Sequence, residues 1–293
     1  MLPDEFPSEL YPFTSHSAAI GGLSMHYVDE GSGPPVVLVH GNPTWSFYFR
    51  NLIPPLATSH RAIALDHIGM GFSDHPTRAE YPFSLERRIA DLGEFIDTVV
   101  GEGPVDLVMH DWGGAIGLGW AVAHPDRVRK LVVMNSAGFH PPHGKKIPAA
   151  LLAARSAGTG ETVVRGANAF VEGAVRIAVT RPLSREERRG YRAPYFSWKR
   201  RLGVYEFVKD IPINDEHRTY GVIERISDRL DLLGDKPVML AWGTKDFVFN
   251  ADYLAEFVRR FPNAEVVQYG AANHLVLDDE RVDLIPKIVD FLT

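Results

Sequence analysis

Six short, largely apolar runs recur along the chain: Pro34 to His40 (PPVVLVH), Ala62 to Leu65, Val105 to Met109, Lys130 to Met134, Pro237 to Trp242 and Glu265 to Tyr269. A run apolar at consecutive positions puts apolar side chains on both faces of a strand, so these read as strands buried on both faces. Between most of them lie amphipathic stretches of helical length, at Leu85 to Val100, Ala115 to His124, Ala251 to Phe261 and Val282 to Leu292. Strand alternating with helix demands a mostly parallel sheet covered by helices on both faces, an α/β architecture. Ahead of them, Ser17 to Glu30 holds two apolar segments flanking Gly21-Gly22, which suits a β-hairpin, so the sheet is expected to begin antiparallel. The alternation breaks between about Phe139 and Leu232, where the sequence turns helix-like and rich in arginine and aromatics. The expected organisation is a core over 1–138 and 233–293, with a helical cap inserted over 139–232.

At 293 residues, with 45% hydrophobic and 23% charged side chains, the chain can bury a sizeable core and an enclosed site. A formal net charge of −6 gives no general attraction for nucleic acid or anionic membrane. The first ten residues carry Asp4, Glu5 and Glu9 with no apolar stretch behind them, the wrong order for a secretory signal, and no segment reaches spanning length. The expectation is a cytoplasmic protein. Having no cysteine, the chain excludes thiol catalysis and cysteine-bound zinc.

The most specific segment is Val108-Met109-His110-Asp111-Trp112-Gly113-Gly114-Ala115, which puts Asp111 between the end of a buried strand and the start of a helix. This is the nucleophile-elbow pattern, with an aspartate where a serine usually stands. An Asp before a helix is ordinarily an N-cap, but three further segments favour catalysis. His274 in GAANH follows the last strand run, where an α/β-hydrolase keeps its general base. Asp246 in WGTKD lies just beyond a strand end, available to orient that imidazole. Some relatives take this acid from the loop after the preceding strand, but no Asp or Glu occurs from Arg127 to Gly160, and Asn135 stands where it would have been. His40-Gly41-Asn42-Pro43-Thr44-Trp45 follows a buried strand and would supply the backbone N–H of Asn42 to an oxyanion hole, with that of Trp112 as the second. The Asn42 amide and the Trp112 indole N–H would then converge above Asp111 on a departing anion.

A carboxylate is ionised at neutral pH, needs no base to attack and can displace a leaving group from saturated carbon, giving an ester. His274 would serve only the second step, deprotonating the water that hydrolyses the ester. This disfavours serine-type esterase or lipase chemistry.

HGNPTW, DHIGMGFSD (Asp66 to Asp74), HDWGG, WGTKD and the late NH, in register, resemble the haloalkane dehalogenase family, subfamily III. The resemblance implies an α/β-hydrolase fold with Asp111 as nucleophile, His274 as base, Asp246 as acid, and Asn42 with Trp112 as halide or leaving-group ligands. It implies no cofactor or metal, a small apolar haloalkane substrate and a released halide ion. Within the cap, Asn135 to Phe139 with KKIP (Lys145 to Pro148), APYFSW (Ala193 to Trp198) and FVKDIP (Phe207 to Pro212) resemble the β-lactone decarboxylases of bacterial olefin biosynthesis. That resemblance implies a long-chain β-lactone, converted to an alkene and carbon dioxide, as the cellular substrate. Such relatives often form homo-oligomers, so the resemblance implies a homo-oligomer here as well.

Two other readings fit parts of the chain. An epoxide hydrolase also uses an Asp nucleophile, with cap tyrosines activating the ring oxygen, and Tyr191, Tyr195, Tyr205 and Tyr220 are available. A catalytically silent receptor would bind a small apolar ligand under the lid. Hydride transfer lacks its phosphate-binding motif, since Gly69-Met70-Gly71 has the wrong spacing, and His140 with His143 form a pair without further metal partners. Tyr195 and Trp198 are weighed as core residues against substrate contacts.

Overall fold

The computed structural model describes residues 6–293, the side chain of His143 apart; Asp4 and Glu5, used above in judging the leader, lie outside the described residues. Eight strands form one sheet in the order β1-β2-β4-β3-β5-β6-β7-β8. They are β1 (Ser15–Ile20), β2 (Leu23–Gly31), β3 (Pro35–Val39), β4 (Arg61–Leu65), β5 (Val105–Asp111), β6 (Val128–Ser136), β7 (Val238–Gly243) and β8 (Glu265–Tyr269). β1, β2 and β4 pair antiparallel, and the remaining pairs are parallel. Gly21 (φ 54°) and Gly22 (φ 79°) make the hairpin turn, which needs positive φ at both central residues. Every residue of β5 and β7 is buried, as continuous apolar runs predict.

Helix α1 (Leu85–Phe95) starts at Ser84, whose hydroxyl accepts the Arg87 backbone N–H at 3.2 Å. The expected helix to Val100 is regular only to Phe95 and widens into a π-type turn over Ile96–Val100. Helix α2 (Trp112–Ala121) begins three residues before its predicted start, because Asp111 passes directly from strand to helix without a loop. α1 packs on α2.

Between β6 and β7 the described residues contain helices and turns but no strand. The longer helices are α3 (Ala149–Ala154), α4 (Ala169–Ile177), α5 (Arg185–Arg192), α6 (Leu202–Lys209) and α7 (Tyr220–Ser227). α5 carries a capping box in which Ser184 and Glu187 satisfy each other's backbone N–H groups. The chain then completes the sheet and adds α8 (Ala251–Arg260), α9 (Val276–Asp279) and α10 (Arg281–Leu292). Among the described residues, no helix is long and apolar enough to cross a membrane.

Candidate active site

Asp111 ends β5 with φ 53° and ψ −129°, a conformation L side chains rarely adopt, which costs about 1–3 kcal/mol and persists only where the surroundings enforce it. Close packing enforces it here. A Cβ on Gly113 would stand 2.0 Å from the Val39 carbonyl oxygen, and one on Gly114 would stand 1.8 Å from Ser136 Oγ. Gly41 faces the carboxylate itself, since a Cβ there would lie 2.2 Å from Asp111 Oδ1. The Ser136 hydroxyl donates to the Asp111 carbonyl at 2.5 Å and fixes the turn from below.

The structure brings Asp111, His274 and Asp246 into one line, with the imidazole between the two carboxylates. The Asn42 backbone N–H donates to Asp111 Oδ1 at 2.7 Å, and the Trp112 backbone N–H donates to the same carboxylate. His274 Nε2 lies 3.5 Å from Asp111 Oδ2, while its Nδ1–H donates to Asp246 Oδ2 at 2.7 Å. Asp246 Oδ1 accepts the Val248 N–H at 2.7 Å.

Burial disfavours a charged His274, but the carboxylates of Asp246 and Asp111 outweigh it and push the imidazole up to about 9. Burial also raises Asp111, against the His274 charge and its two N–H donors. Asp246 goes the other way: burial would raise it, yet the His274 charge and hydrogen bond hold it below the usual carboxylate range. His274 therefore holds its proton more tightly than a free imidazole, between Asp246 and Asp111.

Two supporting residues escape sequence reading. Asn135, noted only as standing where an acid could have been, has φ 31° and donates to Asp246 Oδ2 at 3.0 Å and to the Gly243 carbonyl at 2.9 Å. Its Oδ1 accepts the Gly243 N–H at 2.8 Å, so it clamps the strand end that carries Asp246. His110 Nε2–H donates to the His274 carbonyl at 2.9 Å, and burial holds this ring well below its ordinary pKa, hence neutral. Neither contact has a sequence signature, because both depend on loops meeting in space.

The side chain of Asn42 has a partner that sequence reading did not give it: Nδ2 donates to the Val204 carbonyl of α6 at 3.1 Å. An amide carries two N–H hydrogens, so one remains for a ligand. The contact makes Asn42 a joint between the sheet and the insertion.

Asp111, Asn42, Trp112 and His274 line a cavity of about 470 Å³. Its walls are mainly apolar and come from the insertion, with Phe170, Ala174, Val208 and Ile223 among them, and from the segment after β7, with Phe247, Phe249 and Tyr253. Ile177, also in the lining, is 62% exposed and marks the open end. The Trp112 ring packs against Phe207 of α6, centroids 5.6 Å apart. Tyr191, Tyr195, Tyr205 and Tyr220 do not line the cavity. Their hydroxyls or rings are engaged elsewhere: Tyr191 with Asp278, Tyr195 with the Thr44 carbonyl at 3.3 Å, Tyr205 with the Ser156 carbonyl at 3.2 Å, and Tyr220 stacked on His140 at 3.9 Å. Trp198 lies outside the lining as well, beneath the Arg165 guanidinium at 4.2 Å.

A family model described as alpha/beta hydrolase fold matches residues 34–281. The chain is 40% identical to a cis-3-alkyl-4-alkyloxetan-2-one decarboxylase of Shewanella oneidensis, covering 97% of this chain and 90% of that protein. It is 33% identical to haloalkane dehalogenase 2 of Mycobacterium tuberculosis, covering 96% of each. Among solved structures, the haloalkane dehalogenase DatA from Agrobacterium tumefaciens superposes with a TM-score of 0.86 at 26% identity, over 95% of this chain and 96% of that one.

Proposed function

Because the chain belongs to the α/β-hydrolase fold family, in the group that includes haloalkane dehalogenases and cis-β-lactone decarboxylases, we propose that Asp111 is a covalent nucleophile whose main substrate is a cis-β-lactone bearing two alkyl arms. The observation that carries this reading is the Asp111 carboxylate at the floor of an apolar cavity, held by two backbone N–H groups and 3.5 Å from His274. The choice of lactone over haloalkane rests on identity, 40% against 33% over nearly the whole chain.

Both chemistries begin with the same displacement. Asp111 attacks a saturated carbon, a carbon–oxygen or carbon–halogen bond breaks, and the departing anion is received by the Trp112 indole and the remaining Asn42 N–H. They differ in the fate of the ester. From a lactone, the ester carries a free carboxylate on the neighbouring carbon. Loss of carbon dioxide sends that bonding pair into a new carbon–carbon double bond and expels Asp111, so alkene forms without water. From a haloalkane no such exit exists, and water must attack the ester carbonyl. Once Asp111 is esterified, His274 loses one of the two anions that raise its pKa and becomes a better acceptor for the water proton. Residues 139–232 would act as the cap over this cavity, leaving it open beside Ile177.

Dehalogenation is retained as the second reading because Asn42 and Trp112 both face the cavity as neutral donors. The epoxide reading loses support, since none of its four candidate tyrosines enters the cavity. The test is a paired assay of the purified protein with a cis-β-lactone carrying two long alkyl chains and with 1-bromohexane. Rapid alkene formation with slow bromide release is expected. Fast bromide release with no lactone turnover would reverse the order.

A further inference from the structure

A second concavity, of about 390 Å³, shares no lining residue with the first. It is lined by Ser15, His16, Ser17, Ser24, His26, Phe72 and Arg200, where β1 and β2 meet the loop after β4. Ser15 Oγ lies 3.1 Å from His26 Nε2, and His26 Nδ1 lies 2.8 Å from Asp66 Oδ2. We propose that Ser15, His26 and Asp66 form a second nucleophilic site, independent of Asp111, that takes an acyl group from small activated esters.

The chemistry follows from how each group is held. Asp66 is fully buried, and its oxygens also accept the Ser46 N–H at 2.7 Å and the Phe72 N–H at 2.9 Å. Burial would raise this carboxyl, but the His26 ring and these donors hold it below its ordinary value, so it is an anion that only accepts. Asp66 as acceptor places a proton on His26 Nδ1, and in the neutral ring Nε2 is then the acceptor for the Ser15 hydroxyl, the tautomer a serine nucleophile requires. The His26 backbone N–H donates to Ser73 Oγ at 2.8 Å, which ties this strand to the loop, and the ring itself stands edge-on to Phe72 at 5.6 Å between its Ser15 and Asp66 contacts. His26 is nearly buried whereas Ser15 is exposed, so the nucleophile alone reaches solvent.

An acyl transfer also needs a donor for the developing oxyanion. Arg200 lines the same concavity, and its buried Nη1 has no hydrogen-bond partner among the described residues. In the first step the Ser15 proton passes to His26 Nε2 as Oγ bonds to the acyl carbon. Collapse of the adduct breaks the ester C–O bond, and the leaving alcohol or phenol takes that proton. Water then repeats the sequence on the acyl-serine, releasing the carboxylic acid and restoring Ser15. An arrangement serving only to tie β2 to its neighbouring loop would need Asp66 and His26 but not a hydroxyl at position 15.

The full chain would be treated with diisopropyl fluorophosphate, and the adduct located by peptide mass spectrometry. Hydrolysis of p-nitrophenyl acetate would be followed in an Asp111→Ala background. The proposal predicts an adduct on Ser15 and not on Ser17, and acetate-ester turnover lost in Ser15→Ala. It also predicts labelling slowed at least about tenfold in His26→Asn. Ser15→Ala alone, at an exposed strand end, leaves turnover at the Asp111 site unchanged. No Ser15 adduct on the folded wild-type chain would overturn the proposal, as would an adduct forming equally fast in a folded His26→Asn variant.

Discussion

The strand ends and loops that carry Asp111, Asp246 and His274 and the helical segment lying over them are held by different forces. Beneath, position is set by backbone: a strained turn with no room for a Cβ at Gly41, Gly113 or Gly114, and N–H groups aimed at carboxylates. Above, long charged side chains do the holding. Arg50, almost fully buried, donates to Asp278 at 2.6 Å and to Glu187 of α5 at 3.2 Å, and Tyr191 donates to the same Asp278. Arg88, also buried, lies over the Phe207 ring at 3.7 Å, and Phe207 in turn packs on Trp112. The lower region is thus held by backbone contacts and the upper one by buried side-chain ion pairs, which fits the proposal that the first sets the reaction and the second its substrate.

Three substitutions break this division at different points. Asp111→Asn has the largest expected effect, a loss of roughly 10⁴-fold in turnover on either substrate class. Stability is retained, because Asn tolerates positive φ better than most residues. Steady-state rates alongside a thermal melt check both halves. Arg50→Met comes next. It strands the buried Asp278 with only Tyr191, and denaturant unfolding is expected to show a loss of about 3 kcal/mol, near the lower end for a broken buried ion pair. Asn135→Ala is the smallest. It leaves the Gly243 N–H and one Asp246 oxygen short of a partner, for about 1–3 kcal/mol in the same assay. A fall in kcat with little change in KM is expected with it, separating a positioning role from substrate contact.

The same division governs what the sequence discloses. Strands such as PPVVLVH are legible because burial on both faces leaves an uninterrupted apolar run, and Asp111 because a strand, a tight turn and glycines must follow one another. Asp246 and His274 are legible by their place after strand ends. The inner surface of the insertion is not. Tyr195 and Trp198 look alike as candidate contacts in sequence, yet one is fully buried against the Thr44 carbonyl and the other is 46% exposed under Arg165. Their directions follow from how short helices pack, which no local periodicity encodes. The second hydrogen bond of Asn42, to Val204, is hidden for the same reason: its partner lies 162 residues away.

The central claim, that Asp111 becomes covalently attached to substrate, is tested most directly by incubating folded His274→Ala with 1-bromohexane and measuring the digested protein by mass spectrometry. With the water-activating base removed, the account predicts one hexyl group accumulating on the peptide that contains Asp111. A folded variant with no adduct, or with the adduct on another residue, would contradict it.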